Sequence, residues 1–362
     1  MTRRLFYRRL ASHVGYSAPF PEGIDLLLTD RCNLRCKMCD QWNPDISRTK
    51  NISSLESQEL ELDHWIRVID ECKPYNPVIT LVGGEVLLYK GFDAIVRKLS
   101  EENMNWTLVT NGLILDRKLV LLKKYPPKEI TISLDGPEDI HDEIRSYKGL
   151  YAKVISNIET IRQQLKSTGI RLHTVMTRHN LPYLLNWVDS VNHKITGISN
   201  WKFIHLQSID AGTLDRRKQF CRENFNVVHS AFDGYMLPSE IIPAAADVLE
   251  YKRQLTLKDY NFKTSFSPDF SDNSIHQYYC EKNKLLKEKY NGKCDALWSV
   301  CAIYSNGDVH ICQDLKIGSI KETSVKLAFN SAMSKLMREK YIKSGTFPGC
   351  SSCFFSFSGK SA

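Results

Sequence analysis

Short apolar runs alternate with helical stretches between residues 24 and 206, and this alternation constrains the fold more than any other feature of the sequence. Six runs have the length and composition of buried strands, at 24–29, 78–82, 106–110, 129–134, 171–176 and 201–206. Helical periodicity fills the intervals, at 63–73, 91–101, 116–124, 151–168 and 182–193. Because strands that alternate with helices form parallel βαβ units, the pattern predicts an α/β fold, a partial (β/α)6 barrel related to the TIM barrel.

The alternation ends after Gln207, and the rest of the chain divides into two parts. Residues 208–290 are polar and predicted to be irregular, apart from one helix at 239–254. Short strands at 303–304 and 309–311 are joined by a turn containing Asn306-Gly307, a strong hairpin signal, and a helix follows at 324–341. We therefore predict a basic N-terminal arm (1–20), the barrel (21–210), a connecting helical and irregular segment (211–292) and a small C-terminal α+β domain (293–362).

Composition limits the classes of function. The chain has 362 residues, enough for one large and one smaller domain, and its eleven cysteines favour metal ligation in a reducing, cytoplasmic compartment. No apolar run approaches membrane-spanning length. The net charge of +8 permits an anionic partner, but basic residues are interleaved with aromatics only in residues 1–10, so nucleic-acid binding is not indicated.

Three cysteines with CxxxCxxC spacing, Cys32, Cys36 and Cys39, follow the first predicted strand. Three thiolates on one loop can hold three irons of a [4Fe–4S] cluster, which normally takes four thiolates. One iron then keeps an open coordination position, where chemistry can occur. The alternative is a zinc loop, although zinc sites usually comprise two CxxC pairs.

The order of motifs along the barrel resembles that of the radical S-adenosylmethionine (SAM) superfamily. Val82-Gly83-Gly84-Glu85 ends the second strand, Thr110-Asn111-Gly112 the third, and Ser133-Leu134-Asp135-Gly136 the fourth. The resemblance implies that SAM chelates the open iron and is cleaved reductively to a 5′-deoxyadenosyl radical. It also implies that cofactor binding falls to Gly83, Gly84, Glu85, Thr110, Asn111, Ser133, Asp135 and Arg145. Val86 stands where the family usually has proline, and Met38 where it usually has an aromatic residue.

A second set of cysteines lies near the C-terminus. Twelve residues separate Cys294 from Gly307, four separate Gly307 from Cys312, and Cys350 and Cys353 form a CxxC pair. This spacing resembles the Twitch domain, a shortened form of the SPASM domain. It implies one auxiliary [4Fe–4S] cluster, the second in the chain, held by Cys294, Cys312, Cys350 and Cys353. Four thiolates close the coordination sphere, which suits electron transfer. A zinc site with four cysteine ligands is the alternative, and the role of Cys301 stays open.

The resemblance implies a flavodoxin- or ferredoxin-type electron donor and an enzyme of natural-product biosynthesis. We expect dehydrogenation or epimerisation of a small metabolite or sugar-like substrate, because no leader-peptide-binding domain fits in the 23 residues before the first strand. A maturase of ribosomally made peptides is the alternative, and a non-catalytic iron–sulfur or zinc protein that binds nucleic acid is a remote one. No catalytic residue is identified. Candidates are His205 and Gln207, which reach the cavity mouth if their face of the sixth strand lines the barrel, and the thiols of Cys221 and Cys280.

Overall fold

The computed structural model describes residues 13–40, 59–228, 231–281, 294–313 and 315–353. The strands are β1 Gly23–Leu27, β2 Val78–Val82, β3 Trp106–Thr110, β4 Glu129–Ser133, β5 Gly169–Met176, β6 Asn200–His205, β7 Lys263–Ser267, β8 Val300–Ile303, β9 Asp308–Cys312 and β10 Leu315–Ser319. The helices are α1 Leu62–Cys72, α2 Phe92–Glu101, α3 Leu119–Lys124, α4 Glu138–Arg145, α5 Leu150–Gln164, α6 Leu181–Lys194, α7 Ala211–Phe225, α8 Ala245–Thr256, α9 Asp272–Cys280, α10 Ala296–Ser299, α11 Val325–Phe329 and α12 Ala332–Ser344. Most of the predicted N-terminal arm lies outside the described residues.

All ten strands form one sheet, in the order β10-β9-β8-β1-β2-β3-β4-β5-β6-β7. Strands β1 to β7 are parallel to their neighbours throughout. The two edge strands, β10 and β7, do not pair with each other in the described part of the chain, so the sheet is open. The predicted α/β fold with a parallel sheet is confirmed. Parallel strands end on one side of the sheet, which gathers the loops after β1, β2, β3 and β4 there.

One face of the sheet is apolar and covered by helices. On β6, the ring of Trp201 lies edge-on to Trp187 of α6, with 5.0 Å between the ring centroids. Two residues along, Phe203 contacts Tyr251 of α8 with 5.4 Å between centroids. Because side chains alternate along a strand, Asn200, Lys202 and Ile204 point to the opposite face. We call that opposite face the inner face.

The segment predicted to be irregular contains regular structure. It holds α7, β7 and α9 in addition to α8, which begins at Ala245, after the predicted start at 239. Helix α7 starts at a clear cap, because the Asp210 carboxylate accepts a hydrogen bond from the backbone N–H of Thr213 at 2.8 Å. The seventh strand was missed because Phe266 is its only buried residue. A polar edge strand carries too little apolar periodicity to be recognised from sequence.

The C-terminal hairpin extends the barrel sheet. Strands β8 and β9 pair antiparallel around the predicted Asn-Gly turn, and β8 also pairs in parallel with β1, Gly23 opposite Val300. The predicted helix at 324–341 is two helices, α11 and α12, and Ser331 caps the second through a hydrogen bond from the Ser334 N–H. The strand that precedes the first cysteine loop, β1, and the strand that ends at Cys312, β9, therefore belong to one sheet. No helix among the described residues is long and apolar enough to cross a membrane.

Candidate functional site

The cysteine loop lies beyond the carboxyl end of β1. Cys32, Cys36 and Cys39 are half-buried, and a tight turn brings the Cys39 N–H to the Cys36 carbonyl at 3.1 Å. The Lys37 N–H donates to the Ile144 carbonyl of α4 at 2.9 Å, which fixes the loop against that helix. Burial raises the pKa of the Cys32 thiol to about 11, and the Asn111 amide nitrogen lies 4.0 Å from its sulfur.

Gly83 and Gly84 let the loop after β2 dock against the segment that leads into the cysteines. The Gly84 N–H donates to the Thr29 carbonyl and the Glu85 N–H to the Arg31 carbonyl, both at 2.8 Å. A Cβ on Gly83, whose φ is +153°, would lie 2.4 Å from the Thr29 carbonyl oxygen. One on Gly84 would lie 2.3 Å from that of Arg31. These close approaches to backbone leave no room for a side chain at either position, so both require glycine.

Replacing Gly84 by Ala should therefore destabilise the protein and misplace the cysteine loop. The added methyl group meets backbone atoms that cannot rotate away, and overpacking of this kind costs about 1–3 kcal/mol. Thermal unfolding and SAM binding by calorimetry would measure both effects. Gly169→Ala is the matched control, because its Cβ would meet nothing closer than 3.5 Å. Equal unfolding temperatures for the two variants would contradict the expectation.

Glu85 is a buried carboxylate at the centre of this loop cluster. One of its oxygens accepts from the Thr110 hydroxyl at 2.8 Å and from the Leu87 N–H at 3.2 Å. Its other oxygen accepts from the Asn111 N–H at 2.8 Å. Burial raises the pKa of Glu85 above its usual value, and these three donors oppose the rise. The predicted residues Glu85, Thr110 and Asn111 are thus brought together within hydrogen-bond distance.

Asp135 and Arg145 form a second buried group beside the cysteine loop. Two guanidinium nitrogens of Arg145 reach one Asp135 oxygen at 2.7 and 2.6 Å, while the other oxygen accepts from the Val175 N–H at 2.8 Å. The pKa of Arg145 is raised, since nearby Asp135 and Cys36 favour its charged form against the cost of burial. Sequence reasoning missed Asn180, whose amide donates to the Asp135 carbonyl at 2.8 Å. Ser133 lies at the end of β4, opposite His173 of β5.

These residues fit the groups that the sequence resemblance implies. Three thiols lie on one loop, a buried carboxylate can accept from an ammonium group, and a buried guanidinium lies beside Cys36. Such a donor set suits a cluster with one open iron and a zwitterionic ligand. Among the described residues, no three His, Cys, Asp or Glu side chains stand close enough to hold a single metal ion.

The four C-terminal cysteines surround one cavity. Cys294, Cys312, Cys350 and Cys353 all line it, together with Arg217, Phe232, Ala296, Leu297, Ile311, Gln313, Tyr341 and Phe347. Cys301 is not among the lining residues; it is buried on β8, opposite Ile24 of β1. Burial raises the pKa of Cys294 to about 12, and its backbone N–H donates to the Tyr341 hydroxyl at 3.0 Å. The cavity fits a four-thiolate cluster, and the position of Cys301 favours Cys294 as the fourth thiol.

His205 was expected to reach the cavity mouth only if its face of β6 lined the barrel. It lies instead on the face that the helices cover. Its Nδ1 is 3.0 Å from the Tyr279 hydroxyl, and it is enclosed by Phe270, Tyr278 and Tyr279. Burial lowers the pKa of His205 to about 3, which keeps the ring neutral. Gln207 instead reaches Gln313 on the wall of the four-cysteine cavity, at 3.2 Å.

The two candidate thiols lie in different surroundings. Cys221 is fully buried on α7, within the main apolar core. Cys280 is exposed at the end of α9. Sequence reasoning also missed two residues that line the four-cysteine cavity, Arg217 on α7 and Tyr341 on α12. The capping residue Asp210 could have indicated where α7 begins.

This fold and these two cysteine sites define a class of protein. The profile of the radical SAM superfamily matches residues 26–191, and that of the SPASM domain, an iron–sulfur cluster-binding domain, matches residues 294–354. The chain therefore combines a radical SAM domain with a SPASM/Twitch iron–sulfur domain, as the motifs predicted. The first domain implies SAM and a [4Fe–4S] cluster, and the second implies auxiliary iron–sulfur.

Relatives with described functions match different shares of the chain. The cysteine-type anaerobic sulfatase-maturating enzyme of Clostridium novyi is 26% identical over 332 residues, 85% of this chain and 78% of the relative. The sporulation killing factor maturation protein SkfB of Bacillus subtilis is 30% identical over 145 residues, 40% of this chain and 33% of its own length. A GTP 3′,8-cyclase of Peptoclostridium acidaminophilum is 35% identical over 153 residues, 41% of this chain and 45% of the cyclase.

Solved structures match nearly the whole chain in fold. Streptococcus suis SuiB bound to its precursor peptide SuiA has a TM-score of 0.63 at 16% identity, covering 98% of this chain and 74% of SuiB. The enzyme anSMEcpe with bound AdoMet has a TM-score of 0.60 at 15% identity, covering 94% of this chain and 85% of that chain. At these identities the likeness establishes the fold, which includes both cysteine regions.

Proposed function

We propose that the protein modifies a polypeptide substrate by abstracting one of its hydrogen atoms and cross-linking, oxidising or epimerising the resulting radical. The observation that carries the proposal is the match to a sulfatase-maturating enzyme, which covers 85% of this chain and 78% of that relative. The fold shared with peptide-bound SuiB supports it. Sequence reasoning favoured a small metabolite, but the likeness to the GTP cyclase covers only 41% of this chain.

Cys32, Cys36 and Cys39 would hold the first cluster, and Cys294, Cys312, Cys350 and Cys353 the auxiliary one. When bound, SAM and the two clusters would supply a radical that abstracts hydrogen and an acceptor for the unpaired electron left on the substrate radical. Glu85, held by Thr110 and Asn111, would accept from the amino group of SAM. The Arg145–Asp135 pair would hold the cysteine loop and present a cation beside Cys36. Gly83, Gly84 and Ser133 would shape the walls of this site.

The inner face of the sheet supports a substrate that carries an anionic group. Arg171, His173 and Lys202 occupy inner-face positions on β5 and β6, and Lys202 is the register partner of His173. Arg171 is paired with Glu129 at 2.9 Å, whereas no ion pair joins Lys202 to another described residue. Burial and the nearby Arg171 lower the pKa of Lys202. The Nε2 atom of His173 is buried without a hydrogen-bond partner in the described part of the chain.

Neutralising Lys202 should weaken binding of an acidic substrate more than it slows turnover. A hydrogen bond to a charged group contributes about 1.5–3 kcal/mol, so Lys202→Gln should raise KM by about 10- to 100-fold with a smaller change in kcat. Steady-state kinetics on acidic and neutral peptides would measure the changes in KM and kcat separately. The exposed Lys194→Gln on α6 is the control. An unchanged KM for Lys202→Gln would remove the anion-binding role.

The experiment for the function itself uses the reconstituted holoenzyme with SAM, a reductant and a synthetic peptide mixture that varies the central residue. Mass spectrometry in D2O should show loss of two hydrogen atoms for oxidation or cross-linking, or uptake of one deuterium for epimerisation. The variant lacking Cys32, Cys36 and Cys39 is the negative control. A protein that leaves every peptide unchanged but dehydrogenates or epimerises small acids or sugars would support the small-metabolite candidate instead.

A further inference from the structure

Arg217 of α7 is a buried cation in contact with one of the four cysteines. Its side chain is 1% exposed, and its Nη2 atom lies 3.3 Å from the Cys312 sulfur. Its Nη1 atom donates to the Pro348 carbonyl at 3.2 Å, in the loop that leads to Cys350. The guanidinium carbon lies 5.5 Å from the Phe232 ring centroid and 5.8 Å from that of Phe347.

Burying a guanidinium costs desolvation free energy unless partners compensate for its charge. An arginine is almost never fully buried without compensating partners, and here two aromatic faces and a carbonyl fix its orientation. The loop it contacts is itself arranged around sulfur, since the Phe347 N–H points at the Cys350 sulfur at 3.3 Å. The Cys312 and Cys350 sulfurs therefore both have an N–H donor aimed at them, and the donor to Cys312 carries a full positive charge.

We propose that Arg217 is a positioning residue that raises the reduction potential of the auxiliary cluster through its hydrogen bond to Cys312. The inference rests on the proposed assignment of Cys312 as a cluster ligand. A cluster held by four thiolates is anionic, and its reduced form carries one more negative charge. A fixed cation in a buried, low-dielectric site stabilises the reduced form more than the oxidised one. Arg217 would thereby favour transfer to the bound cluster of the one electron that the substrate radical gives up, together with one proton, in net oxidation.

The test is a potentiometric titration followed by electron paramagnetic resonance. The background is the full chain with Cys32, Cys36 and Cys39 replaced by Ala, so that the signal comes from the auxiliary cluster alone. Arg217→Gln should shift the midpoint potential to a more negative value, and Arg217→Lys, which keeps a charge but not the planar fork, should shift it less. The exposed neighbour Arg216→Gln is the matched control and should match the background protein.

Iron analysis accompanies each variant, because loss of the cluster would mimic a redox effect. Equal potentials in the background protein, Arg217→Gln and Arg217→Lys would overturn the proposal. If Arg217→Gln does not hold iron, the background protein itself is labelled with 15N-arginine. The reduced cluster should then show hyperfine coupling to 15N, and absence of that coupling would also overturn the proposal. Failure to modify any peptide would count against the proposed function and leave this measurement untouched.

Discussion

Replacing Cys312 by Ala should abolish the oxidised product while SAM cleavage continues. The variant loses one of the four thiols around the C-terminal cavity, so iron should fall from about eight atoms per chain to about four. Hydrogen abstraction needs only the first cluster, whereas an oxidised product needs one further electron to be removed from the substrate radical. Deuterium from a labelled substrate should therefore still appear in 5′-deoxyadenosine when the product has disappeared.

Cys301→Ala is the matched control for this expectation. Its thiol is buried and lies on the same hairpin, but it does not line the cavity. It should retain the full iron content and the product. Normal product formation by Cys312→Ala would show that the auxiliary cluster is structural and that the reaction is redox-neutral. Cys221 and Cys280 would then be the next thiols to test as hydrogen-atom donors.

Replacing Cys36 by Ala should abolish 5′-deoxyadenosine formation altogether. The loop after β1 offers three thiols, and the variant keeps only two of them. Two protein ligands would not hold a cluster in a fixed position relative to Glu85 and Arg145. About four irons should remain in the auxiliary site, because its cysteines line a separate cavity. Liquid chromatography of 5′-deoxyadenosine and an iron assay would measure both results.

Cys72→Ala provides the control, since this thiol is fully buried on α1 and packs in the core. It should lower stability modestly through lost packing and keep both iron content and SAM cleavage. Undiminished 5′-deoxyadenosine formation in the Cys36 variant would show that the open-iron interpretation of the loop is wrong. Four irons accompanied by one zinc in the unaltered protein would instead overturn the auxiliary cluster.

Long, strongly patterned elements were predictable from sequence, and weak or polar ones were not. Strands β1 to β6 and the helices between them, except the short α4, alternate so clearly that their order required no tertiary information. Strand β7 and helices α7 and α9 were missed because their apolar content is low and their boundaries depend on polar caps at Asp210 and Ser271. Such elements gain their stability from packing against the rest of the fold.

The sequence by itself indicated the two iron–sulfur domains and their cofactors, because much of the cysteine spacing that marks them is local. Three thiols within one loop and a CxxC pair near the C-terminus indicate which side chains can share a cluster before any fold is known. Only the tertiary structure decided which face of β6 is inner, and it separated His205 from the site and left Lys202 facing inward. It also joined the hairpin to β1 and placed Arg217 against Cys312, 95 residues away. These contacts depend on sheet pairing and helix packing across long separations, which no local pattern encodes.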